Sequence, residues 1–307
     1  MTIFDCLEAK PLELFDGADI TDKENFAYWQ GDIPMLIQAH VDTVLSKPPR
    51  ITSTDYIIRG SNGLGADDRA GVFICQQLRK EFPNLPILLT NHEETGGKGM
   101  DMACYNLIED IEHIRLAIAV DRKGCGEYVT YNDLPEKAEK YVKKFGWEEN
   151  MGTFSDVSIF TDEFRIPSVN VSAGFHKEHT AKEYLVIDEM YLTIHRIRQM
   201  ILNPIKKLYK TKEYASSAYG GNFKYSSYYL GYTDADIPND AIPRTSHCPF
   251  CYGESLDFWE DECYCGDCGE IWNVFEHSAF DVEQTTFDMF PEEKEALERL
   301  RMQCAKY

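Results

Sequence analysis

Four short apolar runs constrain the fold more than any other feature of the chain: Pro34 to Ala39, Pro86 to Leu89, Leu116 to Val120 and Ile166 to Val171. Each is too short for a core helix and reads as a buried strand. Helical patterns fall between them. Across 67–82, Val72, Cys75, Leu78 and Phe82 recur at spacings of three and four, one face of a helix. Across 134–145, Glu136 precedes Lys140 and Glu139 precedes Lys143, pairs that support an exposed helix face. Across 186–202 an apolar stripe ends in basic residues, which suit the negative end of a helix dipole. Strands alternating with helices predict an α/β fold with a mostly parallel sheet sandwiched by helices.

The strand exits carry the chemistry. In open α/β sheets, ligands bind beyond the carboxyl ends of the strands. After the first run comes HVDTV, with His40 and Asp42. Before the first long helix comes GLGADDRAG, with Asp67 and Asp68, where Gly60, Gly63 and Gly65 read as a turn. No GK[ST] follows those glycines, so a phosphate loop is not indicated. After the second run comes NHEETGGKG, with Glu93 and Glu94, which on an extended chain would point to opposite sides. After the third comes Asp121, and after the fourth SAGFHKEHTAKEY, with His176 and His179.

Converging carboxylates repel one another and resist desolvation. Two divalent cations would make the arrangement stable, and imidazole with carboxylate suits zinc better than calcium or magnesium. Two metals about 3.5 Å apart form a hydrolytic clamp.

The ordered set HVDTV, ADDRAG, HEETGGKG and EHTAKEY resembles the signatures of the di-zinc exopeptidase superfamily over residues 34–202. That group includes leucyl, glutamyl and tetrahedral aminopeptidases, peptidase T and the carboxypeptidase G type. The resemblance implies that His40, Asp67 and Asp121 bind one zinc, while Glu94, His179 and the shared Asp67 bind the other. It implies Glu93 as the general base on a bridging water, Asp42 as the support behind His40, and a cis peptide between Asp67 and Asp68. His176 competes with His179 for the ligand role or lines the site. Asp156, in GTFSDVSIF, resembles a segment that lines the substrate pocket; read alone, it is equally a helix cap or turn residue.

Only 57 residues separate Asp121 from His179, too few for the lid domain of carboxypeptidase-type relatives. The short spacing favours an aminopeptidase-like reading. With 39 residues before His40, outer strands of the sheet are expected to be missing or supplied from beyond residue 205.

The composition changes after residue 205. Residues 206–245 are rich in Tyr, Ser and Gly and read as a linker or loop layer. Residues 246–275 hold two Cys-x-x-Cys knuckles, Cys248 with Cys251 and Cys265 with Cys268, which resemble a zinc ribbon. Cys263 is a fifth thiol there. The ribbon reads either as a structural zinc module or as a docking surface for a protein partner. Residues 276–307 form a tail with a terminal helix over PEEKEALERLRMQ, where Pro291 suits the first turn.

Composition limits the function classes. A formal charge of −21 opposes general binding to nucleic acid. No stretch approaches the roughly 20 apolar residues that span a membrane. The N-terminal residues lack a secretory pattern, and the scattered single cysteines among the ten suit a reducing cytoplasm. The expected function is a cytoplasmic metallopeptidase, aminopeptidase-like, with two catalytic zincs and one in the ribbon, acting as a monomer or a homo-oligomer. Two alternatives stay open: hydrolysis of another amide, such as an N-acyl amino acid or a cell-wall peptide, or an inactive zinc-binding scaffold.

Overall fold

The computed structural model describes residues 1–211, except 23, 132, 133, 153 and 154; beyond them it describes the backbone of three short strands between 256 and 273, and residues 295, 296 and 299. The chain divides into two units, one of Met1–Glu213 with Thr285–Tyr307, the other of Tyr214–Gln284.

The first unit contains strands β1 (Ile20–Asp22), β2 (Phe26–Trp29), β3 (Met35–His40), β4 (Ile51–Ser53), β5 (Ile57–Gly60), β6 (Ile87–Thr90), β7 (Leu116–Arg122), β8 (Glu127–Thr130), β9 (Glu148–Glu149), β10 (Ser168–Ser172), β11 (Phe175–His176) and β12 (Tyr184–Val186). Its helices are α1 (Ile3–Glu8), α2 (Ala66–Glu81), α3 (Lys98–Asn106), α4 (Glu136–Lys144), α5 (Val157–Phe164) and α6 (Ile187–Leu202).

The main sheet runs β1-β2-β6-β3-β7-β10-β8-β9. Its four central strands are the four apolar runs, and β6, β3, β7 and β10 pair in parallel. Their residues alternate between two cores. Met35, Ile37 and Ala39 of β3 face one side and Leu36 the other; Leu116, Ile118 and Val120 of β7 face the first side and Ala117 and Ala119 the second. Burial on both faces is why these strands read as unbroken apolar runs rather than as alternating ones. α1, α2, α4 and α6 contribute to the first core, and α3 and α5 to the second.

The outer strands come from elsewhere than expected. β1 and β2 precede β3 and close one side in antiparallel fashion, while β8 and β9 close the other. These strands are short, and Ile20–Asp22 and Glu148–Glu149 contain few apolar residues, so they carry little periodic signal.

A second, four-stranded antiparallel sheet, β11-β12-β5-β4, packs Phe175, Leu185 and Ile58 into the first core. The predicted helix pairs are present: Lys140 meets Glu136 at 2.7 Å, and Lys143 meets Glu139. The basic residues of α6 lie before its last turn rather than in it. Arg198 is 3% exposed and grips both oxygens of Glu81 on α2 at 2.9 Å. Burial and ion pairing, not the helix dipole, account for its position. Residues 295, 296 and 299 are helical, and the Arg299 guanidinium holds the Asp188 carboxylate at 2.6 Å.

In the second unit, β13 (Leu256–Trp259), β14 (Glu262–Cys265) and β15 (Ile271–Asn273) form an antiparallel meander. Cys248, Cys251 and Cys268 lie outside the described residues, and of Cys263 and Cys265 only the backbone is described, on β14.

Candidate metal centre

The site forms where the strand order reverses. β3 lies at the centre, with the next strand, β6, on one side and β7 on the other. A crevice opens at such a switch point. His40, the last residue of β3, and Asp121, near the end of β7, face each other across it, with Nε2 and Oδ1 3.4 Å apart.

Asp67 enters from the first turn of α2. Gly65 caps this helix at φ +69°, a left-handed conformation that a side chain would strain. The peptide between Asp67 and Asp68 is cis, as the resemblance implies. Asp67 spans the site: Oδ1 lies 3.4 Å from His40 Nε2, and Oδ2 lies 3.2 Å from His179 Nε2. His179 sits in the loop between β11 and β12, and its Nε2 also meets Glu94 Oε1 at 3.0 Å. Three overlapping groups converge: His40 with Asp67 and Asp121, His179 with Asp67 and Glu94, and His40 with Glu93 and Glu94. In each, the ligand atoms all lie within 4.8 Å of one another.

Glu93 and Glu94 occupy a turn after β6, not an extended strand. Asp42 shapes that turn. Its Oδ1 accepts the Glu93 N–H and its Oδ2 the Glu94 N–H, each at 3.1 Å. The two glutamates still diverge, Glu94 toward His179 and Glu93 toward His40, where Oε2 is 3.9 Å from Nε2. Asp42 also touches His40, and more closely through its main chain than through its carboxylate. Its main-chain carbonyl is 3.1 Å from Nδ1 and its carboxylate 3.4 Å. A proton on Nδ1 would serve these acceptors and, in the neutral imidazole, leave the Nε2 lone pair toward the cluster.

Asp121 is held from behind. Its N–H donates to Asn170 Oδ1 at 3.0 Å, and its Oδ2 accepts from Ser155 Oγ at 3.0 Å. Asp68 is fully buried, and its carboxyl accepts the His40 N–H at 3.2 Å and the Gly71 N–H at 3.1 Å.

Taken as side chains alone, the cluster is electrostatically uneven. Burial drives Glu93 up to about 9, against the pull of the His40 charge. Burial likewise lifts Asp121 to about 7. Asp67, although buried, is held below the ordinary carboxylate range by hydrogen bonds from His179 and His40. Burial opposes a charge on His40, but hydrogen bonds to Asp121, Asp42 and Asp67 outweigh it and hold the imidazole well above its usual value. The bond to Asp67 raises His179 to about 9.

The donor set fits zinc. A tetrahedral site with metal–ligand bonds near 2.1 Å has ligand–ligand edges of about 3.4 Å. The imidazole–carboxylate separations of 3.4, 3.4, 3.2 and 3.0 Å match that scale. Five carboxylates, Asp42, Asp67, Glu93, Glu94 and Asp121, surround two imidazoles, an excess of negative charge that dications would neutralise.

Two further residues singled out in the sequence have their own partners and belong to none of these groups. His176 pairs with Glu189 of α6 at 2.6 Å and stacks on Tyr184, with ring centroids 4.9 Å apart. Asp156 is 3% exposed, and its carboxylate takes hydrogen bonds from Gln38 at 2.9 Å and Thr90 at 2.6 Å. Asp156 occupies the N-cap position of α5 without a capping bond from its side chain.

The sequence reading assigns no role to Glu183, yet this residue organises the site. It is 3% exposed, and its carboxylate accepts the N–H groups of Leu64, Gly65 and Asp67 at 2.9, 2.7 and 3.1 Å. Its place in EHTAKEY, four residues after His179, is the one available signal. Asn170 and Ser155 have none, because a polar residue in or near a strand is common.

No family model matches the sequence, and no curated protein matches it. Among solved structures, the chain resembles a tripeptidase from Staphylococcus aureus, with a TM-score of 0.50, 15% identity, 65% of this chain and 96% of that one covered. It also resembles an aminopeptidase from the archaeon Desulfurococcus kamchatkensis, with a TM-score of 0.50, 13% identity, 66% of this chain and 94% of that one covered. At such identities the likeness establishes the fold: an α/β unit with a large, mostly parallel sheet flanked by helices, shared with these peptidases.

Proposed function

We propose that this chain is a di-zinc metallopeptidase that removes residues from the amino end of peptides. The reading rests on one observation above all: the two oxygens of Asp67 face two different imidazoles, each completed by a further carboxylate. A single metal has no use for such a bridge. The fold shared with a tripeptidase and an aminopeptidase supports the same reading.

His40, Asp67 and Asp121 would hold one zinc, and His179, Glu94 and Asp67 the other. When bound, the pair supplies Lewis acidity to a water molecule and to the scissile carbonyl. Glu93 takes the proton from that water as its oxygen bonds to the carbonyl carbon. As the C–N bond breaks, Glu93 delivers the proton to the leaving nitrogen. Asp42 keeps Glu93 in place through its main chain, so the base stays aimed without being consumed as a ligand. Asn170 and Ser155 fix the Asp121 carboxylate, and Asp42 sets the proton on His40 Nδ1.

The choice of the amino end rests on charge. The two basic residues that follow Asp121 are both engaged: Arg122 binds Glu127 at 2.8 Å, and Lys123 binds Glu178 at 2.6 Å. An acidic centre flanked by neutralised cations suits an α-ammonium group better than a carboxylate. The segment with the two Cys-x-x-Cys knuckles is read as a structural zinc ribbon, and the protein as cytoplasmic.

The test is mass spectrometry of a mixed peptide pool incubated with the zinc-loaded protein beside Glu93→Gln. Stepwise shortening from the amino end by wild type alone is the expected result. An intact pool in both samples overturns the peptidase reading for such substrates.

A further inference from the structure

Glu183 lies on the loop that presents His179, yet its carboxylate is spent on the loop that presents Asp67. Both oxygens are used: Oε2 accepts the N–H groups of Leu64 and Gly65, and Oε1 accepts the Asp67 N–H. One side chain thus joins the segments that carry the bridging carboxylate and the outer imidazole. Beside the pairing of β12 with β5, which flanks these segments, one main-chain bond links them, Gly63 N–H to Ala181 O at 3.3 Å.

The His179 loop needs such a tether. His179 has φ +58° and Lys177 φ +57°, both in the left-handed region that side chains disfavour. The His179 side chain is half exposed, so packing holds it weakly. Thr180 braces the loop internally, its hydroxyl donating to the Lys177 carbonyl at 2.7 Å. That bond shapes the loop, and the pairing of β12 with β11 and β5 anchors its two ends, which leaves its span over the Asp67 segment to Glu183. His40, by contrast, is fixed by β3, by Asp42 and by Asp68, and none of these involves Glu183.

We infer that Glu183 is a positioning residue that sets the spacing between the two metal-binding groups, acting more on the His179 side than on the His40 side. This inference rests on the di-zinc reading above. It acts unequally on the two sites: loosening Glu183 frees the shared Asp67 on both, but His40 and Asp121 keep their supports in the sheet while the His179 side also loses its tether.

The test is zinc affinity, measured on the full chain by competition with a chromophoric chelator. His40→Ala and His179→Ala assign the two dissociation constants. In Glu183→Ala the His179-side constant should rise by about 10- to 100-fold, the range seen when a group supporting a metal ligand is lost. The His40-side constant should rise less than the His179-side constant, because His40 and Asp121 keep their own supports while only the shared Asp67 loosens. Glu183→Gln keeps one oxygen for Leu64 and Gly65 but turns an NH2 toward the Asp67 N–H, so it should fall between wild type and Glu183→Ala. Unchanged constants in both variants overturn the inference. So does equal weakening of both sites together with a lower unfolding midpoint of the zinc-free protein, which marks a merely structural role. Absence of zinc from both sites in wild type instead overturns the di-zinc reading itself.

Discussion

The carboxylate of Asp42 accepts the main-chain N–H of Glu93 at 3.1 Å, while its second oxygen accepts that of Glu94 at the same distance. One residue after β3 therefore sets the turn after β6. Asp42→Asn keeps the main-chain carbonyl that holds His40 but turns an NH2 toward one of these N–H groups. Zinc affinity should fall by about tenfold, the low end for a residue that supports a ligand. kcat should fall further than affinity does, because the displaced turn carries Glu93. Chelator competition and steady-state kinetics on one peptide check both.

Glu93→Gln removes the carboxylate proposed to accept the proton while preserving shape. General acid–base groups contribute about 10²- to 10⁴-fold. A loss of kcat in that range is expected, with the zinc content of the protein unchanged. Metal analysis of the purified variant separates a catalytic defect from a metal-binding one.

Zinc removal should lower stability, because the two groups bring together residues from β3, β7, the start of α2, the turn after β6 and the β11–β12 loop. A ligand present at 100 times its dissociation constant stabilises the folded state by about 2.7 kcal/mol per site. Dialysis against a strong chelator should lower the thermal midpoint, and zinc should restore it. Scanning calorimetry reads the shift.

Gly71 cannot accept a side chain. A Cβ there would lie 2.3 Å from Asp68 Oδ1 and 2.3 Å from the Val120 carbonyl oxygen. The carbonyl belongs to a central strand and cannot give way. Gly71→Ala should cost about 1–3 kcal/mol, as overpacking does. It should also weaken zinc binding on the His40 side, since Asp68 holds the His40 N–H. Urea unfolding and chelator competition measure the two effects.

The pair of Arg198 and Glu81 joins α6 to α2 away from the metal groups. Breaking a buried pair by removing one partner costs about 3–5 kcal/mol. Glu81 is the more exposed partner, so Glu81→Ala is expected near about 3 kcal/mol. Zinc dissociation constants should stay at their wild-type values, which makes this variant a control for general destabilisation.

The sequence by itself determined the four central strands, because strands buried on both faces must be apolar throughout, and a run such as Leu116 to Val120 has few other readings. It also determined the residues that meet at the strand exits, since burying His40, Asp67, Glu94 and Asp121 together would be unfavourable without a common partner. Glu136 with Lys140 was legible for the same local reason: its partner is one helical turn away. Only the tertiary structure decided what those local patterns leave open. The edge strands β1 and β9 are too short and polar to show a period. The turn at Glu93 and Glu94 depends on Asp42, 51 residues earlier. The tie between the Asp67 segment and the His179 loop runs through Glu183, 116 residues after Asp67. Asp156 and His176 stand out in the sequence, but which residues they bond, Gln38, Thr90 and Glu189, was set by packing. A hydrogen bond between distant residues leaves no periodic trace in the chain; it exists only once the sheet and its crossovers have brought the two ends together.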